Sequence, residues 1–120
     1  MIVLVDDDND LRLAMRLALE QAGYTVREAS NGREALALQQ AQPAPFVITD
    51  IFMPEADGFE LVDAIKKDFP STKVIALSGG GRKKGSHDYL GAARLAGADA
   101  TLKKPFKVDS LLQTLKALDR

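Results

Sequence analysis

The chain alternates short, wholly apolar runs with longer stretches whose apolar residues recur every three or four positions. The first run, Ile2-Val3-Leu4-Val5, is apolar throughout and rich in β-branched residues. Such runs suit a strand buried on both faces of a parallel sheet. A helix follows, with Asp8, Asn9 or Asp10 as its cap and Leu11, Ala14, Met15, Ala18 and Ala22 as its inward face. Gly23 stops it. Tyr24 to Ala29 predicts a second strand, Ser30-Asn31-Gly32 a turn or cap, and Arg33 to Ala41 a second helix ended by Pro43 and Pro45.

The same alternation continues to the end. Phe46-Val47-Ile48-Thr49 predicts a third strand ending at Asp50, and Phe59 to Phe69 a helix with Leu61, Val62 and Ile65 inward. Lys73 to Leu77 predicts a fourth strand, and a glycine-rich loop follows. A helix over about Ser86 to Ala96 is stopped by Gly97. Asp99 to Leu102 is a short fifth strand, and Val108 to Leu118 a last helix with Leu111, Leu112, Leu115 and Leu118 inward. Five βα units at this spacing predict right-handed parallel crossovers and an open doubly wound α/β sheet. They are too few for an eightfold barrel.

Composition narrows the chemistry. At 120 residues, the chain is expected to be one domain over 1–120. There are no cysteines and one histidine, His87, which excludes disulfide scaffolds, thiol catalysis and His-rich zinc sites. The absence of a secretory signal or of a long apolar span leads to the expectation of a cytoplasmic protein with no membrane contact. The net charge of −1 gives no footprint for direct nucleic-acid binding. That balance hides an asymmetry: residues 1–60 hold 11 acids and 4 bases, and residues 61–120 hold 6 acids and 12 bases. A fold that joins the halves could set carboxylates against lysines.

In a doubly wound sheet, ligands bind outside the carboxyl ends of the strands. Asp6, Asp7 and Asp8 follow the first predicted strand, and Asp50 ends the third. Ser78 follows the fourth, and Lys103 and Lys104 follow the fifth. Taken singly, each is an ordinary cap, turn or surface residue. Together they place carboxylates, a hydroxyl and an ammonium on one edge. Clustered carboxylates need neutralising, and Mg²⁺ is satisfied by one or two of them plus waters. A carboxylate can serve as nucleophile toward phosphorus, and a lysine and a hydroxyl can hold phosphoryl oxygens.

The ordered set Val5-Asp6-Asp7, Asp50 with Met53-Pro54 and Asp57-Gly58, Ser78, and Lys104-Pro105-Phe106 resembles the receiver domain of two-component response regulators, from Ile2 to about Leu118. The resemblance implies a flavodoxin-like five-stranded parallel sheet in order 2-1-3-4-5 with helices on both faces. It implies Asp50 as phosphoacceptor, Asp7 as a direct Mg²⁺ ligand, Asp6 as a ligand partly through water, and the Phe52 carbonyl as a further ligand. Asp50 would also share the metal. Ser78 would bond the phosphoryl group and Lys104 pair with its oxygens, with Lys104–Pro105 a candidate cis peptide. The partners implied are a sensor histidine kinase or histidine phosphotransfer protein and a downstream protein target. The expected function is that of a single-domain signalling switch in a phosphorelay. The resemblance implies not a classical enzyme but a protein that catalyses its own phosphorylation and dephosphorylation.

Three features depart from the family pattern. Thr101 stands where many receivers have Tyr or Phe, so an aromatic switch there is absent. The loop after Ser78 is long, and its Arg82-Lys83-Lys84 reads as a solvated run. Phe52 places an apolar ring two positions after the acceptor. An alternative comes from Asp6-Asp7-Asp8, an Asp-x-Asp after an apolar strand that is similar to the motif of haloacid-dehalogenase-like phosphatases, with Asp6 as nucleophile.

Overall fold

The computed structural model describes residues 1–51, 58–78 and 97–119. Within them the elements run β1 (Ile2–Val5), α1 (Asn9–Gln21), β2 (Val26–Ala29), α2 (Gly32–Ala41), β3 (Phe46–Asp50), α3 (Gly58–Asp68), β4 (Lys73–Ser78), β5 (Ala100–Lys103) and α4 (Val108–Leu118). All neighbouring strands pair in parallel, in the order β2-β1-β3-β4-β5. This is the sheet that the pattern and the resemblance predict. The helix expected over 86–96 lies outside the described residues.

Alternation along the central strands divides the core into two layers. Ile2 and Leu4 of β1 and Ile48 of β3 pack with Met15 and Leu19 of α1 and Leu111 and Leu115 of α4. Val3, Val5 and Val47 point the other way, onto Ala35 of α2 and Leu61, Val62 and Ile65 of α3. Strands covered on both faces have no polar face to spare, which is why β1 reads as an unbroken apolar run.

Two expectations need correcting. The inward face of α1 is formed by Met15 and Leu19, with Leu11 partly buried against them, whereas Ala14 and Ala22 are exposed. The helix is turned so that its flank carries Arg12 and Arg16, whose guanidinium groups reach Glu28 on β2. An arginine stem covers apolar surface while its head stays polar, so the buried face extends past the apolar residues alone. The second strand also starts later than Tyr24. The Tyr24 amide donates to the Leu19 carbonyl (3.1 Å) and the Gly23 amide to Glu20 (3.0 Å). These two bonds close α1 in a Schellman turn, with Gly23 at φ +105°. Strand pairing begins only when Ile2 donates to the Thr25 carbonyl (2.8 Å).

Candidate functional site

Register brings the predicted residues together. Ile2 and Leu4 sit level with Phe46 and Ile48. Continuing both rows by two residues places Asp6 beside Asp50 on the α1/α4 side of the sheet. Both carboxylates are buried: Asp6 is fully enclosed and Asp50 is 7% exposed. Lys104, just past β5, reaches across to both, its Nζ lying 3.1 Å from Asp6 Oδ2 and 3.3 Å from Asp50 Oδ2. Its amide donates to the Ser78 carbonyl (2.8 Å), which ties the end of β5 to the end of β4. Ser78 itself is the last residue of β4 and buried, so the expected hydroxyl belongs to the strand and not to the loop after it. The Lys104–Pro105 peptide is cis, as the motif suggested.

Burial alone would push the Lys104 ammonium toward losing its proton. The negative charges of Asp50 and Asp6, together with the hydrogen bonds to them, outweigh that effect and leave its pKa raised. The two carboxylates thus favour the charged form of Lys104. Lys104 also lines an apolar cleft with Leu11, Met15, Pro105 and Phe106.

Asp6, Asp7 and Asp50 each offer a carboxylate oxygen within 4.8 Å of the others. Two oxygens bound to one Mg²⁺ are at most about 4.2 Å apart, so a small side-chain adjustment lets all three share an ion. The donor set is all oxygen and carries three formal negative charges against one lysine, which suits a hard dication. Asp8, in contrast, takes no part. Its carboxylate caps α1 by accepting from the amides of Asp10 and Leu11 (both 3.1 Å). Phe52, expected to lend its carbonyl, lies outside the described residues, as do Met53, Pro54, Asp57, His87 and the loop 79–85. Thr101 is a partly buried residue of β5, in register with Ala76.

Two features at this edge escaped the sequence reading. Arg12 donates from Nη1 to the Asp6 carbonyl (2.5 Å) and from Nε to Glu28 (2.7 Å). That hydrogen bond, acting against partial burial and aided by the charges of Arg16 and Arg12, holds the Glu28 carboxyl below its usual range. Gly58, read as part of a loop motif, opens α3 directly against the backbone of Asp50 and Ile51. An arginine flanking the apolar stripe, four residues before a second one, was the available signal for the first. The second lay within the motif pair Asp57-Gly58, which marked the residue but not its close approach to the Asp50 and Ile51 backbone.

The chain is similar to known proteins over nearly all its length. The profile of the response regulator receiver domain matches residues 2–116. Response regulator MprA of Mycolicibacterium vanbaalenii is 35% identical over 99% of this chain, which spans 50% of that protein. Response regulator receiver protein CpdR of Brucella abortus is 33% identical, with 98% of this chain and 94% of that protein covered. The crystal structure of the receiver domain of NtrX from Brucella abortus superposes with a TM-score of 0.87 at 30% identity, covering 98% of this chain and 97% of that one. With the fold, the strand order and the acidic edge in agreement, the chain belongs to the response regulator receiver domain family.

Proposed function

We propose that this receiver accepts a phosphoryl group on Asp50 from a sensor histidine kinase or histidine phosphotransfer protein, and that Mg²⁺ held by Asp6, Asp7 and Asp50 supports the reaction. The observation that carries the reading is the Lys104 ammonium placed between Asp6 and Asp50, at 3.1 and 3.3 Å, at the carboxyl ends of three strands. When bound, the cation would neutralise negative charge on the acidic edge and on the incoming phosphoryl oxygens.

The chain's own residues supply the rest. An Asp50 carboxylate oxygen attacks phosphorus. The new oxygen–phosphorus bond forms as the bond from phosphorus to the donor's imidazole nitrogen breaks, and that nitrogen keeps the electron pair. Lys104 turns from the two carboxylates to the phosphoryl oxygens, and the Ser78 hydroxyl donates to another of them. Hydrolysis by water later restores Asp50. The phosphorylated edge then signals to a downstream protein target. Residues 1–120 act here as one unit. The phosphatase alternative with Asp6 as nucleophile is set aside, because membership of the receiver family favours Asp50 as acceptor.

Incubation with acetyl phosphate and Mg²⁺, followed by mass spectrometry, tests the assignment. Wild type is expected to gain one phosphoryl group mapping to Asp50, and Asp50→Asn to gain none while keeping its fold. Undiminished labelling of Asp50→Asn, or a phosphoryl group on Asp6, would overturn it.

A further inference from the structure

Every hydrogen-bonding handle of Asp6 is engaged. Its amide donates to the Ala29 carbonyl (3.2 Å). Its Oδ1 accepts from the Asp8 amide (2.9 Å), and its Oδ2 takes the Lys104 ammonium. Its carbonyl accepts from Arg12 Nη1. The first three partners belong to the sheet, the loop and the site. Arg12 alone reaches in from α1, and it does so with its whole fork in use: Nη2 donates to Asn9 Oδ1 (2.9 Å) and Nε to Glu28 Oε1. Its side chain is 14% exposed. Glu28 is fixed in turn on β2, level with Leu4, and is held from the other side by Arg16 Nη1 (2.5 Å).

The peptide plane between Asp6 and Asp7 is rigid, so a donor fixed on the Asp6 carbonyl also fixes the direction in which the chain enters Asp7. Asp7 is exposed and sits between a buried residue and a helix cap. Its carboxylate lies near the other two with that plane in its present orientation. An arginine locked by a carboxylate and an amide oxygen suits this task, since a planar fork directs several bonds at once.

We propose that Arg12, clamped by Glu28, is a positioning residue that sets the Asp6–Asp7 backbone for cation binding, and so tunes Mg²⁺ affinity without touching the cation or the phosphoryl group. This rests on the reading of Asp6, Asp7 and Asp50 as the cation and acceptor site. Partners one step removed from metal ligands commonly change affinity by about 10–100-fold when removed.

The test compares Arg12→Gln, Arg12→Lys and Glu28→Gln with Arg27→Gln. Arg27 also donates to backbone carbonyls, those of Leu38 and Gln42, but it lies away from the acidic edge. Mg²⁺ dissociation constants are read from amide shifts in an NMR titration, thermal unfolding is measured without the cation, and phosphorylation by phosphoramidate is followed across Mg²⁺ concentrations. Arg12→Gln is expected to weaken Mg²⁺ about tenfold, while its rate at saturating Mg²⁺ recovers to within about twofold of wild type. Arg12→Lys, which can serve Glu28 or the carbonyl but not both, should fall between, and Glu28→Gln should weaken binding less than Arg12→Gln. Arg27→Gln should lose thermal stability and keep its Mg²⁺ affinity. An unchanged affinity in Arg12→Gln, or an equal loss in Arg27→Gln, would overturn the proposal and leave the acceptor reading intact. A wild-type protein that binds no Mg²⁺ would overturn both.

Discussion

At Gly58 the constraint on the Asp50 backbone comes down to a missing methyl group. A Cβ there would stand 2.5 Å from the Ile51 Cα and 2.9 Å from the Ile51 carbonyl oxygen, and closer still to the carbonyl oxygen of Asp50. The Gly58 amide meanwhile donates to the Ile51 carbonyl (2.8 Å). These neighbours are backbone atoms, so no side-chain rotation relieves the crowding. Gly58→Ala is therefore expected to cost about 1–3 kcal/mol in urea denaturation, the range of an overpacked core. It should also slow labelling by acetyl phosphate, because the atoms that must yield carry Asp50. Gly23→Ala gives the contrast. Gly23 has a left-handed φ of +105°, and a methyl group added there would meet nothing within 4 Å. Its cost of roughly 1 kcal/mol is conformational and should leave labelling unchanged. Equal labelling rates in the two variants would show that Gly58 does not support the placement of Asp50.

Among the elements, the end of the sheet away from Asp50 is fastened by a buried polar network. Gln39 of α2 is fully buried. Its amide nitrogen donates to the Ala44 carbonyl (3.0 Å) and to Thr72 Oγ1 (2.9 Å), and its oxygen accepts from the Ala44 amide (3.0 Å). Thr72 Oγ1 donates back to the Ala44 carbonyl (2.9 Å). The network joins the α2–β3 connection to the start of β4, at the edge opposite Asp50. Gln39→Leu fills the same space but strands the buried Ala44 amide, which costs about 1–3 kcal/mol. Urea unfolding should show that loss, with Asp50 labelling unaffected. A neutral Gln39→Leu would mean that the amide finds water. Nothing in the sequence announced this latch, since a glutamine on a helix reads as a surface residue. The rotation of α1 was hidden for a related reason. Counting apolar residues picks Ala14 and Ala22, and misses that Arg12 and Arg16 are half-buried because Glu28 awaits them. What did show through was whatever depends on period and residue type: the apolar runs, a cap among Asp8, Asn9 and Asp10 that the structure places at Asp8, a turn or cap over Ser30-Asn31-Gly32 that it places at Asn31, the stop at Gly23, and the polar residues at strand ends. Pairing register, which levels Asp6 with Asp50, depends on contacts between distant residues and is not written in any local pattern.

For the whole molecule, the fold resolves the charge asymmetry of the two halves at one point. The ends of β1 and β3, from the acidic half, supply Asp6, Asp7 and Asp50, and the end of β5, from the basic half, supplies Lys104. Three carboxylates meet one lysine among the described residues of this cluster. On the proposed reading, the carboxylates repel one another when no cation is bound, and a bound cation would offset that repulsion. Any ligand that binds the folded chain alone adds RT ln(1 + [L]/Kd), about 1.4 kcal/mol at ten times Kd. Mg²⁺ is therefore expected to raise the stability of wild type by that amount, with a thermal midpoint that climbs as the concentration rises. Asp7→Asn separates the two contributions. Asp7 is exposed, so losing its charge removes repulsion at little structural cost, and the cation-free variant should be more stable than wild type by about 0.5 kcal/mol. The same variant should gain far less from Mg²⁺, so the order of stability reverses as the cation is added. Thermal scans of both proteins over a Mg²⁺ series, with chelator at one end, measure the crossing. Parallel curves that never cross would mean that Asp7 adds only a diffuse negative charge, and that the cation is held by the two buried carboxylates alone.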